Sequence, residues 1–130
     1  MRYVLDTTVL IDHALGLFGA DDLLTRLYSE TGDIYTCDVA VVEALSSGTA
    51  DELQIIERLV QALEYVSTGP DAAAWAAGFR RRRGRSSRRH LGDAIIAGVA
   101  WSLGATIVTR NPRDFEGQGV PVLAYGQTVA

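Results

Sequence analysis

The sequence predicts an α/β fold, a three-layer α/β/α sandwich around a mainly parallel sheet of about five strands. Two observations predict it. Short apolar runs alternate with helix-period segments along the whole chain, and successive parallel strands need long crossovers, usually helical, between them. At 130 residues and 48% hydrophobic content, the chain can build one ordinary core but is short for two. Residues 1–130 are therefore expected to form a single domain.

The elements follow in order. "RYVL" (2–5) reads as the first strand, and Thr7-Thr8 offers an N-cap to a helix that ends near Gly16. "ADDLLTRLYSE" (20–30) carries Leu23, Leu24, Leu27 and Tyr28 at helical spacing. "DIYTC" (33–37) is the second strand, "DVAVVEALSSG" (38–48) a helix, and "DELQIIERLVQAL" (51–63) an amphipathic helix. A short strand "EYVS" precedes "GPDAAAWAAGFRRRR", a helix with proline near its start. "LGDAIIAGVAWSLG" (91–104) is apolar nearly all round, as a buried helix should be, and "ATIVT" and "VPVLAY" complete the strands. The longest charge-free run, residues 94–109, falls short of the ~20 residues needed to span a bilayer.

Composition excludes several chemistries. No lysine occurs, which removes phosphate loops ending in Gly-Lys and Schiff-base catalysis. The single Cys37 cannot form an internal disulfide, and acids at Asp6 and Asp12 interrupt what would be the apolar core of a secretion signal. A reducing, cytoplasmic setting is expected. Seven of the twelve arginines lie in "RRRRGRSSRR" (80–89), a segment without acids, while the other five face all sixteen acids elsewhere. The net charge of −4 thus hides two opposed fields.

In open α/β sheets, ligands bind outside the carboxyl ends of the strands. Asp6 follows the first strand directly, Glu43 lies on the helix after the second, Asp93 opens a helix, and Asp114 follows "ATIVT". Singly, each has an ordinary structural reading as a cap, a turn residue or a solvated side chain. Together, four acids from four segments can converge on one edge. Clustered carboxylates repel, and a hard divalent cation relieves that repulsion through oxygen ligands, which points to Mg²⁺ or Mn²⁺. Zinc is poorly supported, because Cys37, His13 and His90 show no ligand spacing.

"VLDTTVLID" (4–12), the glutamate of "VVEALSSG", and "GDAIIAGVAWSLGATIVTRNPRDF" resemble, in order and spacing, the PIN-domain ribonucleases, and among them the VapC-type toxins of bacterial toxin–antitoxin pairs. That resemblance implies a PIN-like nuclease domain with an acidic quartet of Asp6, Glu43, Asp93 and Asp114, supported by Thr109, Asn111 and Thr8. The family often has asparagine where this chain has Thr8. It also implies a metal-dependent endoribonuclease that forms a homodimer, or a hetero-oligomer with a small antitoxin whose tail covers the pocket. Asp12 and Asp38 are expected in helix-surface and cap roles, with Glu116 as a reserve ligand.

An RNA strand held beside so acidic a pocket needs cations. Arg80, Arg81, Arg82, Arg83, Arg85, Arg88 and Arg89 are expected to supply phosphate contacts. Trp75, Phe79 and Trp101 are expected in the core or an interface rather than stacked on bases. Two alternatives remain: a non-catalytic PIN-like RNA-binding or assembly module, and a metal-free ribonuclease using His13 and His90.

Overall fold

The computed structural model describes residues 1–83 and 91–127. Five strands form one sheet in the order β3-β2-β1-β4-β5, and every pairing is parallel. The sheet is therefore parallel throughout rather than mainly so. In chain order the elements are β1 (Tyr3–Leu5), α1 (Thr7–Leu15), α2 (Ala20–Glu30), β2 (Ile34–Cys37), α3 (Asp38–Leu45), α4 (Ala50–Ala62) and β3 (Glu64–Val66). There follow α5 (Pro70–Arg83), α6 (Leu91–Leu103), β4 (Thr106–Thr109), a 3-10 turn (Pro112–Phe115) and β5 (Val122–Ala124).

All three residues of β1 are buried, as are Ile107, Val108 and Thr109 of β4. Consecutive burial means that both faces of the sheet's centre are covered, which is why these strands read as continuous apolar runs without alternation. The covering helices show their causes in sequence. On α4, Thr49 and Glu52 form a reciprocal capping box, and Ile56 and Leu59 face inward. Where α5 meets α6, a Cβ on Gly98 would fall 2.4 Å from the Ala72 carbonyl oxygen, so glycine permits backbone-to-backbone contact.

The expected elements all occur, with ends displaced by up to three residues, the largest shift being at α3, which stops at Leu45 rather than at Gly48. One cap differs. Asp6, not Thr7 or Thr8, is the N-cap of α1, and its side chain accepts from the Thr8 amide. That shift brings the first candidate ligand into the backbone geometry of the strand-to-helix turn. Among the described residues, no helix is long and apolar enough to cross a membrane.

Candidate functional site

The site begins where β1 ends. Asp6 continues the β1–β4 ladder by donating its amide to the Val108 carbonyl at 3.1 Å, and its residue is only 4% exposed. Its Oδ1 accepts from the Thr8 amide at 3.0 Å and the Thr8 hydroxyl at 2.5 Å. Burial pushes the Asp6 carboxyl up to about 6, against the pull of hydrogen bonds from the Thr109 and Thr8 side chains and nearby amides. A carboxylate so placed favours the arrival of a proton or a cation.

Glu43 reaches the same edge from α3. Its Oε1 accepts from the Thr7 hydroxyl at 2.7 Å, one residue from Asp6. Its Oε2 lies over Gly92, where an added Cβ would approach to 2.9 Å. The glycine before Asp93 thus leaves the space that Glu43 fills. Asp93 is half-buried in the first turn of α6.

Asp114 arrives through the turn after β4. The fully buried Thr109 accepts the Asn111 amide at 3.0 Å, the Asn111 carbonyl accepts the Asp114 amide at 3.1 Å, and the Gln118 side-chain amide donates to the Asp114 carbonyl at 3.1 Å. Asn111 occupies the N-cap of the 3-10 turn without a side-chain cap bond. Because Thr109 also bonds Asp6, it ties the turn carrying Asp114 to the first carboxylate.

The donor set suits a hard cation: it is all oxygen, one member is buried at an electrostatic cost, and the absence of a side chain at Gly92 gives the Glu43 carboxylate its place beside Asp93. Among the described residues, no three of His, Cys, Asp and Glu are already arranged as a metal cage.

Asp12 departs from expectation. It is 2% exposed, not on the helix surface, and its Oδ2 accepts from Arg110 Nε at 2.7 Å and the Tyr125 hydroxyl at 2.8 Å. Asp12 lies one helical turn after buried Val9, so the rule that flagged Asp6, an acid on an apolar face needing a partner, could have flagged it too. Thr7 and Gly92 were also missed, since neither residue type signals chemistry alone. Asp38 is not the cap expected of it, since Cys37 is the N-cap of α3; as the first residue of the helix it accepts from the Val39 amide and ties in Thr68 by accepting from both its amide and its hydroxyl. Glu116 is exposed, and its carbonyl accepts from Arg83.

Of the arginine run, Arg81 and Arg82 are exposed, and Arg80 is half-buried with its Nε unpartnered. Arg83 packs over Phe79 and donates to the Glu116 carbonyl at 2.8 Å. Arg85, Arg88, Arg89 and His90 lie outside the described residues. Trp75 stacks on both Phe79 and Trp101, with centroids 6.0 and 6.1 Å apart, and Phe79 is buried. Next to Glu43, an open groove of about 470 Å³ between α3 and α6 is lined by Val39, Val42, Leu91 and Ile95.

Comparison with known proteins accords with this geometry. The PIN domain matches residues 3–118. Ribonuclease VapC19 of Mycobacterium tuberculosis is 31% identical over 114 residues, covering 86% of this chain and 90% of the relative. Among solved structures, DNA-bound VapBC from Salmonella typhimurium superposes with a TM-score of 0.76 at 22% identity, over 95% of this chain and 98% of that one. A toxin–antitoxin complex from Klebsiella pneumoniae gives 0.72 at 20% identity, over 98% and 100%. At such identities the two structures speak to the fold, while the sequence match reaches further: this chain belongs to the PIN-domain family, among the VapC ribonucleases.

Proposed function

We propose that the chain is a divalent-metal-dependent endoribonuclease, the toxin of a toxin–antitoxin pair, acting in the cytoplasm as a single nuclease domain. The observation that carries this reading is the buried Asp6, raised to about 6 and joined through Thr7 to Glu43 and through Thr109 to the turn bearing Asp114. Asp6, Asp93, Asp114 and Glu43 would hold Mg²⁺ or Mn²⁺. When bound, such an ion supplies positive charge that acidifies water and neutralises a phosphodiester.

The chain's own residues do the rest. Thr8 and Thr109 fix the orientation of Asp6. Thr7 occupies Glu43 Oε1, which leaves Oε2 to take a proton from the attacking water. Asn111 sets the turn that delivers Asp114. Arg80, Arg81 and Arg82, with Arg85, Arg88 and Arg89, supply phosphate contacts along the strand, while Arg83 is engaged with Glu116. The apolar groove between α3 and α6 suits a second copy, giving a homodimer with the two sites close to its seam. A small antitoxin is the natural partner, and an arginine from its tail would pair well with these carboxylates.

Cleavage of single-stranded RNA by purified protein, with and without Mg²⁺ or Mn²⁺, tests the reading. Asp93→Asn and Asp114→Asn should each abolish cleavage in folded protein. Wild-type turnover in either variant would overturn the quartet; RNA binding with no cleavage under any metal would favour a non-catalytic module.

A further inference from the structure

Behind the carboxylate edge lies a second polar assembly that the nuclease reading leaves unused. Asp12, Arg110 and Tyr125 come from α1, from the end of β4 and from just beyond β5, and they meet at one buried oxygen, Asp12 Oδ2. Phe18 covers one side of Arg110, its ring centroid 4.2 Å from the guanidinium carbon, and the arginine side chain stays 31% exposed. The pair is therefore buried at its Asp12 end and only partly covered at its Arg110 end. Buried ion pairs are weak sources of stability, and well-packed apolar residues often serve as well or better. Their strength lies in fixing geometry.

The geometry they fix leads to Asp6. Thr8 stands between the two groups: its hydroxyl donates to Asp6 Oδ1 at 2.5 Å and accepts from the Arg110 amide at 3.1 Å. Tyr125 extends the grip by donating its amide to the Thr109 carbonyl at 3.1 Å, and Thr109 is the other side chain bonded to Asp6. The Tyr125 phenol is held far above its usual range, first by burial, against the pull of a hydrogen bond with the Thr8 side chain, and then by its bond to Asp12 and the charges of Asp12 and Asp6, so it remains a proton donor. Arg110 thus braces the Thr8 hydroxyl and Tyr125 the Thr109 backbone, each through its own amide, while Asp12 ties the side chains of Arg110 and Tyr125 together.

We propose that Asp12, Arg110 and Tyr125 are positioning residues for the site, holding Thr8 and Thr109 in the arrangement that aims the Asp6 carboxylate. This rests on the nuclease reading. It differs from a purely structural role in its consequence: loosening the assembly should degrade metal binding and turnover before it degrades folding. Outer partners of metal ligands commonly change affinity or activity about 10- to 100-fold.

The test is Tyr125→Phe in the full chain, which removes one oxygen and keeps the ring. Metal-free thermal unfolding establishes that the variant is folded. Mn²⁺ titration followed by thermal shift and steady-state RNA cleavage then give two independent readouts. The expected result is a Mn²⁺ midpoint raised about tenfold and kcat lowered about tenfold, with KM for RNA unchanged. In a Thr8→Val background, the same substitution should add less than about twofold, because the phenol reaches Asp6 through Asp12, Arg110 and Thr8, whereas the tie to Thr109 uses the backbone amide that the substitution keeps. A wild-type midpoint and kcat in Tyr125→Phe, or an undiminished effect on Thr8→Val, would overturn the inference. Should Tyr125→Phe fail to fold, Asp12→Asn carries the same readouts, since it keeps the shape and an acceptor oxygen. A wild type with neither Mn²⁺ response nor cleavage overturns the nuclease reading as well; a responsive wild type with an indifferent Tyr125→Phe overturns this inference alone.

Discussion

Replacing Asp6 with asparagine should make the metal-free protein more stable while destroying its activity, and the gain should depend on pH in a calculable way. The carboxyl moves from an ordinary value of 3.8 to about 6 on folding, chiefly because burial disfavours its charge. Each pKa unit is worth about 1.4 kcal/mol, so the ionised group destabilises the native state by about 3 kcal/mol at pH 7.5. Below the unfolded value both states hold the proton and the penalty vanishes. It grows as pH rises through the interval between the two values, reaching about 1 kcal/mol at pH 4.5, and is complete above the folded value. Asparagine cannot ionise, serves equally well as an N-cap, and keeps an acceptor for Thr8. Thermal unfolding in chelator should therefore place Asp6→Asn on the order of 10 °C above wild type at pH 7.5, with a smaller gap at pH 4.5. Saturating Mn²⁺ should reverse the order, because only wild type gains binding energy at this position. A variant less stable than wild type at pH 7.5, or a gain that ignores pH, would refute the account of Asp6.

Two further outcomes are expected. Gly92→Ala places a Cβ 2.9 Å from Glu43 Oε2, at the movable end of a long side chain; cleavage should fall while thermal stability changes by less than about 0.5 kcal/mol, and unimpaired cleavage would show that the placement of Glu43 is not used. Arg85, Arg88 and Arg89 replaced together by glutamine, in inactive Asp6→Asn protein, should flatten the slope of log RNA affinity against log salt by about 2 units, at ~0.7 per phosphate contact; an unchanged slope would move RNA to another surface.

The alternation of strands and helices follows from features that a sequence displays openly. Leu23, Leu24 and Leu27 mark the inner face of α2 by their spacing, and Val4, Leu5, Ile107 and Val108 mark the sheet centre by unbroken apolarity. Asp6 and Asp114 stood out as candidates for a related reason, since Asp6 directly follows β1 and Asp114 lies in the turn shortly after β4. The Asp12 assembly was not, because its partners lie 98 and 113 residues away and nothing local announces them. The N-cap was misplaced because threonine and aspartate have similar cap preferences, and only the ladder bond from Asp6 to Val108 decides between them. Gly92 became meaningful only once Glu43 was seen to fill the space beside it.

The central place of β1 in the sheet bears on how the protein is made. Synthesis delivers the chain from its N-terminus at about 5–20 residues per second. By residue 66 the half-sheet β3-β2-β1 can assemble, yet β1 still lacks its second neighbour, β4, whose Thr109, with Arg110 just beyond it, completes the surroundings of Asp6. Asp93 and Asp114 emerge later still, so roughly 2–10 seconds separate a foldable half from a pocket able to cut. During that interval the nascent chain is harmless to RNA but presents an open edge along β1. Such an edge invites pairing with other chains, so any early companion of the growing toxin would protect it from aggregation before there is any activity to restrain.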